Sequence, residues 1–398
     1  MFVIEPKEKQ YKTIKVWLQD QTQVEEGCLK QAINLSQLPF LHQWVCLMPD
    51  THEGFGMPIG GVIALKDMII PNAVGVDIGC GMAFVATNIH KSEFSENEYK
   101  QLVGDIMRDI PTGFAHHKAK QSSTILDEAL KCLDAYPREL VDEIERAYYQ
   151  IGTLGGGNHF IEIQEDVQGV LGIMIHSGSR NFGLKIANYF NQVAKDLNEK
   201  WKSPIPKFYD LSYLPTNTAE GKAYIQWMNL ALEFARENRQ KMLMVVQNKL
   251  QKRLSHIVFN NEVNAHHNYA ALEEHYGEQV WIHRKGAIRT LKGELGIIPG
   301  AMGSFSYIVE GLGNQEAFNS CSHGAGRKMS RSKAKQLYSV EKTILDLNQQ
   351  GIVLGKTKKS DVSDECRWAY KDIDFVISQE LDLARPVKKL KTLCVIKG

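Results

Sequence analysis

The sequence predicts a mixed α/β (α+β) fold, and three observations carry that expectation. Short β-branched and apolar runs bounded by glycine, proline or aspartate read as strands, while longer stretches with apolar residues at one-face spacing read as helices. The two kinds follow neither a regular strand–helix alternation nor a sheet followed by a bundle, and no internal repeat of fixed period is present.

Strands are expected over residues 44–48, 61–71, 83–89, 160–163, 170–175, 279–283, 295–299 and 307–309, and these carry the glycine-rich turns. Helices are expected over 125–150, interrupted at Pro137, then 184–201 and a long one from about 219 to 256. In the last, Tyr224, Trp227, Leu230, Ala231 and Phe234 recur on one face, the pattern that burial requires. Two further helices are expected over 332–349 and 363–383. A chain of 398 residues allows one large elaborated domain or two fused halves. No boundary is visible, and 202–218, rich in proline, serine and asparagine, is the best loop.

A content of 43% apolar and 23% charged residues, without low-complexity tracts, describes a chain that folds. The first eleven residues lack the basic and apolar regions of a signal peptide, and no run approaches the length of a membrane span. We expect a cytoplasmic protein without membrane association. Cysteines at 28, 46, 80, 132, 321, 366 and 394 have no paired spacing, which fits reduced thiols. With a formal charge of only +1, a polyanionic partner must be held by local basic patches.

The segment Val-Gly-Val-Asp-Ile-Gly-Cys-Gly-Met at 74–82 places Asp77 and Cys80 three apart in a turn that glycines make permissive, so carboxylate and thiolate can converge. A lone buried cysteine is more commonly structural. Here it has company: His159 after three glycines, His176 ending an apolar strand, His267 in Asn-Ala-His-His-Asn-Tyr, and His323 in Cys-Ser-His-Gly-Ala-Gly-Arg. One thiolate, one carboxylate and several imidazoles exceed the four ligands of a structural zinc site, so two metal ions sharing the thiolate is the natural hypothesis. Ligand softness alone puts zinc first, with manganese or iron behind it.

The string 152–159 lacks the Lys-Ser/Thr end of a Walker loop, and Gly79-Cys-Gly81 lacks the third glycine of a dinucleotide fingerprint. Small-residue runs ending in Asn158, in Pro299 to Met302 and in His323 to Gly326 still offer backbone N–H groups for a phosphate. Basic residues gather at Arg284, Lys285 and Arg289, at Arg327, Lys328, Arg331, Lys333 and Lys335, and at Arg385, Lys388, Lys389 and Lys391. The third group reads as a solvated face. Arg180, Arg327 and Arg331, in or beside the site loops, are the better phosphate forks. The string His176-Ser-Gly-Ser-Arg180 is not the nucleophile elbow of a serine hydrolase, and that reading is set aside.

These strings, with Pro-Asp-Thr-His-Glu-Gly-Phe-Gly at 49–56, Arg-Lys-Gly-Ala at 284–287, Ile-Pro-Gly-Ala-Met-Gly-Ser at 298–304 and Ile-Lys-Gly at 396–398, make the chain resemble the RtcB family of GTP-dependent RNA ligases. The resemblance runs in family order from about residue 40 to the last. It implies a family-specific fold forming one catalytic domain over 1–398, and two manganese ions per subunit. By motif, Asp77, Cys80 and His159 would hold the first ion and Cys80, His176 and His267 the second. His323 would be the nucleophile that forms a histidine–GMP adduct with GTP. The guanylate pocket would include Asn158, His159, Phe160, Ile161, Glu162, His267, Asn268, Pro299, Gly300, Ala301, Met302, Ser306, His323, Gly324, Ala325, Gly326 and Lys397.

The implied reaction joins RNA 2′,3′-cyclic phosphate or 3′-phosphate ends to 5′-hydroxyl ends, in tRNA splicing or in repair of damaged RNA, ribosomal RNA included. An archease-type activator is a possible partner in such a family. Asn181-Phe182 and Ala301 depart from the family's usual residues, and neither departure touches a proposed ligand. Two other classes compete: a two-metal phosphoesterase acting on RNA ends, which would need no covalent nucleotide, and a non-catalytic RNA-end binding module, which would need no complete ligand set.

Overall fold

The computed structural model describes residues 1–398 except 7, 9–10, 133–136 and 358–361. Its larger sheet has eight strands, running in space Phe259–His266, Gly81–His90, Val170–Ser177, Phe160–Asp166, Ala384–Lys397, Phe305–Gly311 and Leu295–Ile298, with Val353–Gly355 joined parallel to Ala384–Lys397. The second sheet has six strands in the order Phe2–Ile4, Ile14–Val16, Leu41–Phe55, Met57–Leu65, Glu278–Lys285 and Asn268–His275.

Alternation along the central strands of the larger sheet decides what faces what. Ala83, Val85, Ile161, Ile163, Leu171, Ile173 and Ile175 form one apolar face, covered by the helix Glu96–Asp109 and by Met242, Leu243, Val246 and Leu250. The other face carries Met82, Phe84, Phe160 and Met174. Residues on it fall into a cross-strand row, Ala265, Met82, His176, Phe160 and Lys397, each paired with the next. Because strand neighbours share a face, one ladder of pairings lines up several candidate site residues.

The 33-residue helix Ala219–Gln251 starts where Thr218 accepts a hydrogen bond from the Gly221 N–H. Its first half packs Tyr224, Trp227, Ala231 and Phe234 against Phe182, Ile186 and Phe190 of the helix Arg180–Lys200, and its second half lies on the larger sheet. Apolar burial thus spans the whole element, as the one-face spacing requires.

Several expectations are corrected. The run 61–71 breaks at Asp67, whose φ of 55° turns the chain between Met57–Leu65 and Met68–Ile69; Pro71 then opens a short helix as its first residue. The helix expected over 332–349 is two, Arg331–Leu337 and Val340–Gln349, because Ser339 caps the second. Only Ile373–Gln379 is α-helical in 363–383; what precedes it is single 3₁₀ turns. Part of the expected helix 125–150 lies outside the described residues, and Thr124–Leu130 and Arg138–Gln150 flank that part. The loop 202–218 holds a 3₁₀ turn and the short strand Leu214–Pro215. The third basic group does lie on a solvated face, but as part of the strand Ala384–Lys397: Arg385 and Lys391 are exposed and Lys388 and Lys389 half-buried, with Lys388 bound to Asp166 and Lys389 to Asp374.

No helix among the described residues is long and apolar enough to cross a membrane. Phe234→Ala, which removes a fully buried ring from the helix–helix contact, is expected to cost about 3 to 5 kcal/mol, measured as a lowered denaturant midpoint at unchanged slope.

Candidate active site

Cys80 stands at the meeting point of two strand ends and a turn. Its Sγ is 3.3 Å from Nε2 of both His159 and His176, and one ligand atom from each of the three lies within 4.8 Å of the others. Asp77 closes the group from the side, with Oδ2 3.1 Å from His159 Nε2. The rings continue in a chain: His176 to His267 at 5.1 Å between centroids, and His267 to His323 at 4.7 Å. All five sequence-predicted ligands therefore come together. His323 stands next to them on the far side of His267.

Local backbone explains the convergence. Gly178 is needed because a Cβ there would lie 2.2 Å from an Asp77 oxygen, and Gly155 because one there would lie 2.1 Å from His159 Nδ1. The Cys80 carbonyl accepts from the His267 N–H, and Asn268 bonds the Asp77 carbonyl, so turn 77–80 and segment 267–268 are zipped together. Asn268 is thus a support for the ligand turn.

Beneath the site lies a polar clamp that the sequence did not reveal. Asn238 and Arg239, both fully buried, come from the middle of the long helix. Asn238 accepts from the N–H groups of Gly152 and Thr153 and donates to the carbonyls of Thr153 and Gly178. Arg239 donates to the carbonyls of Gly79 and Ser177 at 2.9 Å each and to Asn264. One helix turn thereby fixes the loops that carry Cys80, His176 and the 152–159 string. Both stand in the polar run 236–241, where nothing in the sequence separates two buried polar residues from their solvated neighbours.

The electrostatics favour a cation. Burial, reinforced by Asp77, pushes the Cys80 thiol well up. At Asp77 burial works upward too, but the hydrogen bond and charge of His159 outweigh it and hold the carboxyl below its ordinary range. Burial drives His176 and His267 well down, so both rings are neutral. His176 Nδ1 lies 3.2 Å from the Asn158 carbonyl and must donate to it, which turns the bare Nε2 toward Cys80. Nδ1 of His159 and Nδ1 of His267 are buried without a hydrogen-bond partner. Sulfur, carboxylate and imidazoles, two of them with an orphaned ring nitrogen, form a donor set that fits a divalent metal.

Next to the cluster is a cavity of about 240 Å³. Asn158, Phe160, Glu162, Pro299 to Met302, His323 to Gly326 and Lys397 line it together with His176. Ile161 packs instead in the core on the opposite face of its strand, and Ser306 lies behind the wall, accepting from the Gly300 N–H. Glu162, buried beside Thr392 and Gln164, has its carboxyl pushed up to about 7 by that burial.

His323 stands at the boundary of cavity and cluster. Its Nδ1 is 2.6 Å from Oδ2 of the fully buried Asp50, and its backbone N–H donates to the same oxygen. A carboxylate partner makes Nδ1 the protonated nitrogen and leaves the Nε2 lone pair available. Asp50, His52, Glu365 and Tyr370 are site residues to which the sequence assigned no role, although the first two stand in the string 49–56. Tyr370 and Glu365 fall in the segment expected to be helix.

The basic groups divide differently from the expectation. Arg284 is fully buried in a two-pronged pair with Glu273, and Lys285 donates to the carbonyls of Phe55 and Asn72. Neither is on a surface. Arg327 lines the cavity, but its N–H groups are taken by Tyr370, Glu365 and two carbonyls. Arg331 also borders it and is half-exposed. Arg180, in left-handed backbone at φ 58°, is held by Thr153 and the Gly113 carbonyl beside Asp77.

Fold and site together describe an enzyme, with a presented histidine between metal-competent donors and a cavity of mixed polarity. The family described as tRNA-splicing ligase RtcB matches residues 31–398. The chain is 38% identical to the RNA-splicing ligase RtcB of Escherichia coli K12 over 406 aligned residues, covering 97% of each. It is 32% identical to the tRNA-splicing ligase RtcB of Nanoarchaeum equitans, covering 94% of this chain and 92% of that one. This chain belongs to the RtcB family.

Arg239→Met keeps the buried length but removes the guanidinium donors of the clamp. It is expected to cost about 2 kcal/mol or more in denaturant unfolding, because the Ser177 carbonyl and Asn264 lose the guanidinium while the Gly79 carbonyl keeps the His266 ring beside it. A variant as stable as the parent would show that the loops hold themselves.

Proposed function

We propose that this chain, as one catalytic domain, is a GTP-dependent RNA ligase that joins an RNA 2′,3′-cyclic phosphate or 3′-phosphate end to a 5′-hydroxyl end through GMP carried on His323. The observation that carries the reading is the placement of His323, fixed by Asp50 through Nδ1, between the donor cluster and the 240 Å³ cavity. A phosphoesterase using water would have no use for a histidine so presented. The E. coli and Nanoarchaeum relatives, named as ligases, support the same choice.

Asp77, Cys80 and His159 would hold one manganese ion, and Cys80, His176 and His267 a second. When bound, such ions neutralise crowded phosphates and lower the pKa of an attacking hydroxyl. The protein's own groups do the rest. His323 Nε2 attacks the α-phosphorus of GTP, a P–N bond forms and pyrophosphate leaves, while Asp50 stabilises the positive charge that develops on the ring. Glycine-rich backbone at 299–302 and 323–326 lies against the phosphates, and Phe160, Glu162, Tyr370 and Lys397 surround the base.

A 2′,3′-cyclic end is first opened by water, which breaks the P–O2′ bond and leaves a 3′-phosphate and a 2′-hydroxyl; a 3′-phosphate oxygen then attacks the phosphorus on His323, breaking the P–N bond and taking GMP. The 5′-hydroxyl attacks the activated 3′-phosphate, forming the phosphodiester and releasing GMP. A neutral imidazole suits the first role because it brings no further negative charge to the phosphates. The RNA would be one opened by splicing or damage, transfer RNA first, with an archease-type activator as the partner to test. Seven cysteines, all unpaired, fit a cytoplasmic setting.

GTP labelled at the α-phosphate is expected to leave label on the protein in the presence of manganese, and His323→Ala to abolish it. Absence of label from the unmutated protein overturns the reading. Asp50→Asn should slow labelling by about a hundredfold or more, since the ring tautomer is lost, with folding checked by circular dichroism. Cys80→Ala should lose both ions together in elemental analysis; one ion kept at full occupancy rules out a bridging thiolate.

A further inference from the structure

Among the described residues Phe114 is the most exposed of the large apolar side chains, fully open to solvent, yet its backbone is firmly fixed. The turn that carries it is bonded from Leu154 N–H to the Pro111 carbonyl, from Ala115 N–H to the Thr112 carbonyl, and from the Arg180 guanidinium to the Gly113 carbonyl. A single exposed aromatic needs no explanation on an ordinary surface. This one stands between two hollows that share Gly113, Phe114 and Gly156 as their common wall.

The first hollow, about 370 Å³, reaches Asp77 and His159 of the donor cluster and is flanked by Arg180 and by the exposed Val76 and Leu184. The second, about 900 Å³, is lined among the described residues by Arg331, by Lys356, which donates to the Gly398 oxygen, and by no aspartate or glutamate. Arg331 also borders the cavity beside His323. A path therefore runs from the donor cluster, past the ring of Phe114, along Arg331 to the presented histidine. Its chemistry is that of a nucleotide with a phosphate end: an aromatic face for the base, with guanidinium groups on either side for the charge. A strand ending in a hydroxyl has no terminal phosphate to match them.

We infer that Phe114 is the stacking platform for the terminal base of the RNA strand that ends in a 3′-phosphate. The inference rests on the ligase reading above and adds a residue that positions the strand. Stacking accepts any base, which suits an enzyme that must take ends of varied sequence.

The test uses the full chain and a short RNA bearing 2-aminopurine at its 3′-terminal position and a 3′-phosphate. Stacking quenches the fluorophore, and the titration needs neither GTP nor turnover. The parent should quench it; Phe114→Ala should weaken binding about tenfold or more and abolish the quench, and Phe114→Tyr should restore both. In ligation assays the KM for the phosphate-ended strand should rise by the same factor, while the KM for the 5′-hydroxyl strand and the labelling of His323 stay unchanged. An unaltered quench in Phe114→Ala overturns the inference. So does a KM change confined to the hydroxyl-ended strand or equal for both strands. Failure of GTP labelling in the parent would instead strike the ligase reading, and the quenching titration would still report on Phe114.

Discussion

Two adjacent polar side chains on the buried face of a long amphipathic helix hold the site together. Asn238 and Arg239 bind backbone of three loops that are far apart in sequence, and these loops carry Cys80, His176 and the glycine string before His159. Glycine-rich turns have many conformations available and little side-chain packing to choose among them. Buried hydrogen bonds to their carbonyls and amides make the choice, because leaving those groups unpaired costs more than ordering the loops. The apolar contacts of the same helix place the clamp.

The clamp also matters electrically. Arg239 is fully buried, and although burial lowers its pKa to about 10 it remains cationic near neutrality, with Cys80 and Asp77 acting to raise it. A permanent positive charge therefore lies under a thiol and a carboxylate that must both be ionised to bind metal. It partly offsets the burial that pushes the thiol up. His323 has its own counterpart in Asp50, so the two reactive regions are organised by separate buried charges, one of each sign.

The sequence made the chemistry more legible than the scaffold. Asp77, Cys80, His159, His176 and His267 stood out because polar metal-ligating residues at strand ends among glycines have few bland explanations, and they do converge. What stayed hidden was support. Asn238 and Arg239 sit in a polar run, 236–241, that reads as solvent-facing, and Asp50 was one acid in a string with no spacing to His323, 273 positions on. The strand Ala384–Lys397 was not foreseen because its solvated basic residues mask the alternation, while Leu390, Cys394, Val395 and Ile396 are buried. Helix breaks at Tyr338 and across 362–372 followed local capping and short turns, which apolar spacing does not report. The helix Glu96–Asp109 was missed despite its capping box between Ser95 and Glu98.

That late strand has a consequence for how the protein comes into being. It lies between Phe160–Asp166 and Phe305–Gly311, so the larger sheet stays open along two edges until residues 384–397 have left the ribosome. Lys397 completes the row that ends beside Phe160 and forms part of the cavity wall. Until this strand is in place the sheet presents unpaired strand edges, the situation in which aggregation competes with folding. A chain cut short before residue 384 would keep Asp77, Cys80, His159, His176 and His267 but lack the strand that joins the two parts of the sheet and closes the cavity.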